Sequence, residues 1–175
     1  MNGDVVEEGM PAPEENIPGN NCPFCLIAEG KIETNVIYSD DRFVGVLDIN
    51  PANPGHVLLF PKAHFSSMTE MSDDMVSRMF VVAKRLCGVF MEMLHAKGFN
   101  IFFANGVIAG QNVPHVILHL IPRYDQDGVV FGWKPKMSSK EDMKNIADAI
   151  KSFSIKDKES LPEVSYELDE DERLA

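Results

Sequence analysis

His115 and His119 stand four residues apart in the run Val113-Pro114-His115-Val116-Ile117-Leu118-His119-Leu120-Ile121-Pro122-Arg123. Two imidazoles at this spacing share a face either on a helix, at i and i+4, or on a strand, where every second side chain points the same way. The context selects a strand. Prolines at 114 and 122 bracket the run, its interior is Val, Ile and Leu, and it is short for a helix. On a strand over His115–Ile121, the side chains of His115, Ile117, His119 and Ile121 face one way, while Val116, Leu118 and Leu120 face a core. Ile117 therefore occupies the chemical face between two imidazoles. A third histidine at that place would complete a row able to hold and attack a phosphate.

A second constellation is Cys22-Pro23-Phe24-Cys25. Three cysteines in a chain without a visible secretory leader read better as a metal pair plus one than as a disulfide set. One CxxC also suits redox chemistry, and a zinc site needs two more ligands. His64, in Phe60-Pro61-Lys62-Ala63-His64, and His115 are the candidates. His64 is otherwise a residue at the entry to a helix. Cys87 falls inside a helical apolar pattern and reads as core, and His95 as a helix-end surface residue.

The elements that must position these groups are read from periodicity. Asn35–Tyr38 and Phe43–Leu47 read as a hairpin turning at Asp40-Asp41, and the Pro/Gly-rich turn Asn50–Gly55 leads to a strand at His56–Phe60. A long helix comes next, capped by Ser72, with Asp73 and Asp74 in its first turn and Gly98 stopping it. Met75, Met79, Leu86, Phe90 and Met93 form its buried stripe. Phe99–Ala104 reads as a strand, Asn105–Asn112 as a glycine-bearing loop, and Ser139–Phe153 as a last helix. There Ser138 and Glu141 form a capping box, and Met143, Ile146, Ala147 and Ile150 a buried face. Consecutive strands joined by tight turns predict an α+β fold, with an antiparallel sheet of about five strands and helices on one face.

The 175 residues suffice for one domain with tails. Residues 1–20 and 154–175 read as acidic, disordered tails around a domain at 21–153. With 27 acidic against 16 basic side chains, the net charge of −11 excludes a broad nucleic-acid surface. No apolar run approaches the roughly 20 residues of a membrane span, and the acidic start lacks the features of a signal peptide, so a cytoplasmic location is expected.

Taken in order, Asp48-Ile49-Asn50-Pro51, Pro54-Gly55-His56, Pro61-Lys62-x-His64, Gly110-Gln111-x-Val113-x-His115 and Pro122-Arg123 resemble the histidine triad (HIT) nucleotide-binding and hydrolase family, from Cys22 to about Phe153. The resemblance implies that structural zinc is held by Cys22, Cys25, His64 and His115. It places ribose hydroxyls on Asp48, the base near Ile49 and Phe43, and the phosphate against Asn105, Gly110, Gln111 and Asn112, with His119 donating to a phosphate oxygen. A homodimer formed through the long helix and the adjacent strand is the common family assembly.

The same resemblance assigns the covalent nucleophile to the position of Ile117, whose side chain has no lone pair. His119 is displaced from that place by one alternate strand position, about 6.6 Å, where reactive geometry tolerates about an ångström. Three functions remain open on the sequence. The first, and preferred, is a purine-nucleotide binding protein without the covalent step. The second is a slow hydrolase of nucleotide phosphoramidates or dinucleoside polyphosphates, and the third a structural homodimer with a vestigial pocket.

Overall fold

The structure, a computed structural model, describes residues 22–152. Both expected tails therefore lie outside the described residues, as do Asn21 and Phe153. The chain divides into two compact units, one ending at Val130 and the other beginning at Phe131.

In the first unit, helix α1 (Pro23–Ala28) precedes strands β1 (Val36–Ser39), β2 (Phe43–Leu47) and β3 (Val57–Pro61). Helix α2 (Asp73–Met93), strand β4 (Gly98–Phe103) and strand β5 (Leu118–Arg123) complete it. The five strands form one sheet in the order β1-β2-β3-β5-β4, with every neighbouring pair antiparallel. This is the α+β architecture that the strand spacing predicts.

The period of two along each strand sorts the apolar residues onto two faces. Phe43 on β2, Val57 and Leu59 on β3, and Leu118 and Leu120 on β5 pack with Met79, Val82, Ala83, Leu86, Cys87 and Phe90 of α2. The alternate residues Val44, Val46, Leu58, Phe60 and Ile117 meet Phe24, Ile27 and Ala28 of α1 in a second cluster. The two helices thus cover opposite faces, not one. Six residues at α1 are too few to show a helical period, which is why the sequence pattern does not reveal it. Gly45 permits close packing on the α2 side, since a Cβ there would lie 3.2 Å from Tyr38 Cβ.

Ser72 caps α2 as expected, its hydroxyl accepting from the Met75 amide at 3.3 Å, with Asp73 and Asp74 in the positive first turn. The helix ends earlier than Gly98. His95 takes the left-handed conformation (φ 52°), the Ala96 amide donates back to the Phe90 carbonyl, and Gly98 opens β4 instead. That early end leaves Met93 71% exposed rather than in the core stripe.

β5 also begins later than predicted. His115, Val116 and Ile117 precede it, because the Pro61 carbonyl accepts from the His115 ring and the Val116 amide donates to the Phe65 carbonyl. With those partners engaged, the ladder from β3 stops at the pair Leu59 and Leu118.

In the second unit, α3 (Lys140–Ser152) is capped by Ser139, whose hydroxyl accepts from the Asp142 amide at 3.0 Å. The cap is one residue later than the Ser138 and Glu141 pairing. The expected buried face does not form in the single chain, where Met143, Ile146 and Ile150 are exposed. No helix among the described residues is long and apolar enough to cross a membrane.

Candidate metal centre and ligand pocket

The α1 side of the sheet brings together four groups distant in sequence. Cys22 and Cys25 bracket the first turn of α1, His64 comes just after β3, and His115 lies in the turn before β5. Cys22 Sγ is 3.4 Å from His115 Nδ1, Cys25 Sγ is 3.4 Å from His64 Nδ1, and Cys25 Sγ is 3.8 Å from His115 Nδ1. Tetrahedral zinc with Zn–S near 2.3 Å and Zn–N near 2.05 Å requires sulfur-to-nitrogen separations of about 3.6 Å. The donor set and its spacing therefore fit a four-coordinate soft-metal ion.

The orientation of His115 is fixed from behind. Its Nε2 hydrogen donates to the Pro61 carbonyl at 2.9 Å, so the lone pair on Nδ1 faces the sulfurs. Burial pushes the His115 imidazole down to about 4 and is the chief reason the Cys25 thiol rises to about 11, with Cys22 adding to it. In the metal-free chain both groups are neutral near pH 7, and binding a metal displaces thiol protons.

Beside this cluster lies a pocket of about 350 Å³. Asp48, Ile49 and Asn50 line it after β2, Ala104 after β4 and Gly110–Val113 from the loop before β5, and Phe24, Leu58, His115, Ile117 and His119 complete its wall. Six of the eight residues expected at a nucleotide site therefore border one cavity: Asp48, Ile49, Gly110, Gln111, Asn112 and His119. Phe43 does not. It is fully buried on the opposite face against α2, because odd-numbered residues of β2 point there. Asn105 is not part of the lining either, since its side-chain oxygen accepts from the Met68 amide at 2.9 Å and from the Ser67 hydroxyl at 3.3 Å. Gln111 borders the pocket with its amide already engaged, accepting from Gly106 N and donating to the Ser66 carbonyl.

A histidine to which the sequence pattern assigns no role completes the polar end. His56, buried at the entry to β3, sits with Nε2 3.1 Å from His119 Nδ1 and Nδ1 3.3 Å from Asp48 Oδ2. The Ala52 amide donates to His56 Nδ1 at 3.1 Å. Nδ1 of His56 thus faces both the Ala52 amide and the Asp48 carboxylate, while its Nε2 pairs with His119 Nδ1. Burial lowers the pKa of both imidazoles, against the opposing pull of the Asp48 carboxylate. In the sequence His56 stands in the Pro54-Gly55-His56 block without a role; the sheet register, which pairs Leu58 with His119, is what brings it to that ring.

The Cys2His2 cluster and the histidine-fronted pocket thus lie side by side on one small α+β fold with a five-stranded antiparallel sheet. The chain belongs to the HIT-domain family, whose profile matches residues 29–126. An uncharacterised HIT-like protein of Methanocaldococcus jannaschii is 41% identical over 127 residues, covering 71% of this chain and 98% of that protein. An adenosine 5'-monophosphoramidase of Schizosaccharomyces pombe is 31% identical over 133 residues, covering 75% and 97% respectively. Among solved structures, a zinc-bound histidine triad family protein from Mycobacterium smegmatis shares 34% identity with a TM-score of 0.62, covering 78% of this chain and 97% of that one. Cys22, Cys25 and α1 precede the segment that the family profile matches.

Proposed function

We propose that this protein binds a purine nucleotide in the pocket without forming a covalent nucleotidyl-histidine intermediate, and that Cys22, Cys25, His64 and His115 hold a structural zinc ion. The observation that carries the reading is Ile117 in the pocket wall, two residues before His119. An aliphatic side chain offers no electron pair to phosphorus, and no neighbour can activate it. Asp48 accepts from ribose hydroxyls, Asn112 and the Nε2–H of His119 donate to phosphate oxygens, and Ile49 covers the base. Four protein donors leave a bound zinc with no open position, so its contribution is cross-linking.

A slow hydrolase is the second reading, supported by the contacts from Ala52 through His56 to His119, which hold the His119 ring at the pocket wall. One experiment separates the two. Wild-type protein and Ile117→His are compared on adenosine 5'-phosphoramidate, with AMP binding measured by calorimetry. Saturable AMP binding with no wild-type turnover, and turnover gained in the variant, is the expected result. A trapped covalent adduct or equal turnover in wild type refutes the binding reading.

Homodimerisation belongs to the same proposal. It is supported by exposed Phe80, Val81 and Met91 on α2, Leu94 just after it, and Phe99 and Ile101 on the edge strand β4, and sedimentation equilibrium tests it.

A further inference from the structure

Phe24, one of the two residues between Cys22 and Cys25, is also a wall of the pocket. Phe24 packs edge-on against Phe60, with ring centroids 4.9 Å apart, and lies 5.7 Å from the His115 ring. Phe24 and His115 both border the cavity, next to Ile117. The cluster and the pocket thus share one side chain outright and are separated elsewhere by the thickness of another.

Helix α1 spends its backbone hydrogen bonds on itself. The amides of Leu26, Glu29, Gly30 and Lys31 donate to carbonyls within the segment, at Cys22, Cys25, Ile27 and Leu26. A helix of six residues has no stability of its own. It meets the sheet through the sulfur–imidazole contacts of Cys22 and Cys25 and through Phe24, Ile27 and Ala28 on the second apolar cluster. Thiols are weak hydrogen-bond donors, so without a metal the polar half of this attachment is loose. Four coordinate bonds would make it rigid.

We propose that occupancy of the Cys22, Cys25, His64 and His115 cluster by a divalent transition metal sets the ligand affinity of the adjoining pocket, with Phe24 transmitting the effect. The inference rests on the nucleotide-binding reading in taking AMP as its probe. Metal fixes the two cysteines, the cysteines fix the Phe24 ring between them, and the ring closes the wall against which the ligand packs. Linkage makes the coupling reciprocal: AMP must tighten zinc by the factor by which zinc tightens AMP.

The test uses the full chain, zinc-loaded and chelator-stripped, titrated with AMP by calorimetry. AMP is expected to bind at least about fivefold more tightly to the zinc-loaded form, the lower end of ordinary coupling. In Phe24→Ala the zinc stoichiometry stays at that of wild type, AMP weakens, and the ratio between loaded and stripped forms collapses toward one. Equal AMP affinity in both wild-type forms overturns the coupling while leaving the nucleotide reading intact. A ratio unchanged in Phe24→Ala overturns the transmitting role of Phe24. Should the stripped chain unfold, zinc is titrated by chelator competition with and without saturating AMP, and a zinc affinity that AMP does not change overturns the proposal. No heat with AMP in either form overturns the nucleotide reading, and the coupling with it.

Discussion

Lowering pH should destabilise the metal-free protein through His115, by an amount the structure sets. The ring is 1% exposed, and burial holds its imidazole at about 4 against an ordinary value of 6.5. An imidazole with a depressed folded pKa is protonated first in the unfolded chain. Its contribution is therefore complete above about pH 6.5 and is lost as the pH falls toward 4. Integrating proton uptake between the two values gives a loss of about 2 kcal/mol at pH 5 and about 3 kcal/mol at pH 4. Other groups titrate over the same range, so the measurement is a difference. Wild type and His115→Gln, which keeps a donor for the Pro61 carbonyl, are unfolded in urea with chelator present at pH 4 to 7. Wild type should lose about 2 kcal/mol more than the variant between pH 7 and 5. Parallel stability curves would refute the account of His115 as a buried neutral ring.

Phe43→Ala should cost about 3–5 kcal/mol of stability, by chemical denaturation, with AMP affinity per folded molecule unchanged; a selective loss of affinity would return Phe43 to the pocket. Gly55→Ala should lower the melting temperature, because φ is +89° and the new Cβ would meet Leu94 Cδ1 at 2.5 Å. Ser72→Ala should cost about 1 kcal/mol through loss of the α2 cap. His56→Phe should remove the partner of His119 Nδ1 and shift the His119 ring signals in nitrogen-15 spectra; unchanged shifts would dismiss the pairing of the two rings.

Much of the fold was legible because its strands are bounded by strong signals. The short apolar runs of β2 and β3, the Asn50–Gly55 turn and the Ser72 cap each report local chemistry, and local chemistry is what one sequence carries. The Cys2His2 cluster was legible as a donor inventory: two thiols meet two imidazoles that lie 39 to 93 residues further along the chain. What the sequence hid depends on which face a residue takes and on who holds its backbone. Phe43 and Val44 differ by one position and land in different cores. The turn at His115 exists because its own ring takes the Pro61 carbonyl that a ladder would have used. His56 lacked any motif assigning it a role, and its partner, the Ala52 amide, is invisible to side-chain reasoning.

Ile117 is better explained by what it joins than by what it replaces. It packs on the second apolar cluster with Phe24, Ile27, Leu58 and Phe60, and so belongs to the contact that seats α1 on the sheet. Ile117 also borders the pocket, so a histidine there would trade part of this apolar contact for a ring facing the cavity, at a cost in the seating of α1. Isoleucine at 117 therefore reinforces the attachment of α1, and does so where the Cys2His2 cluster and the pocket adjoin.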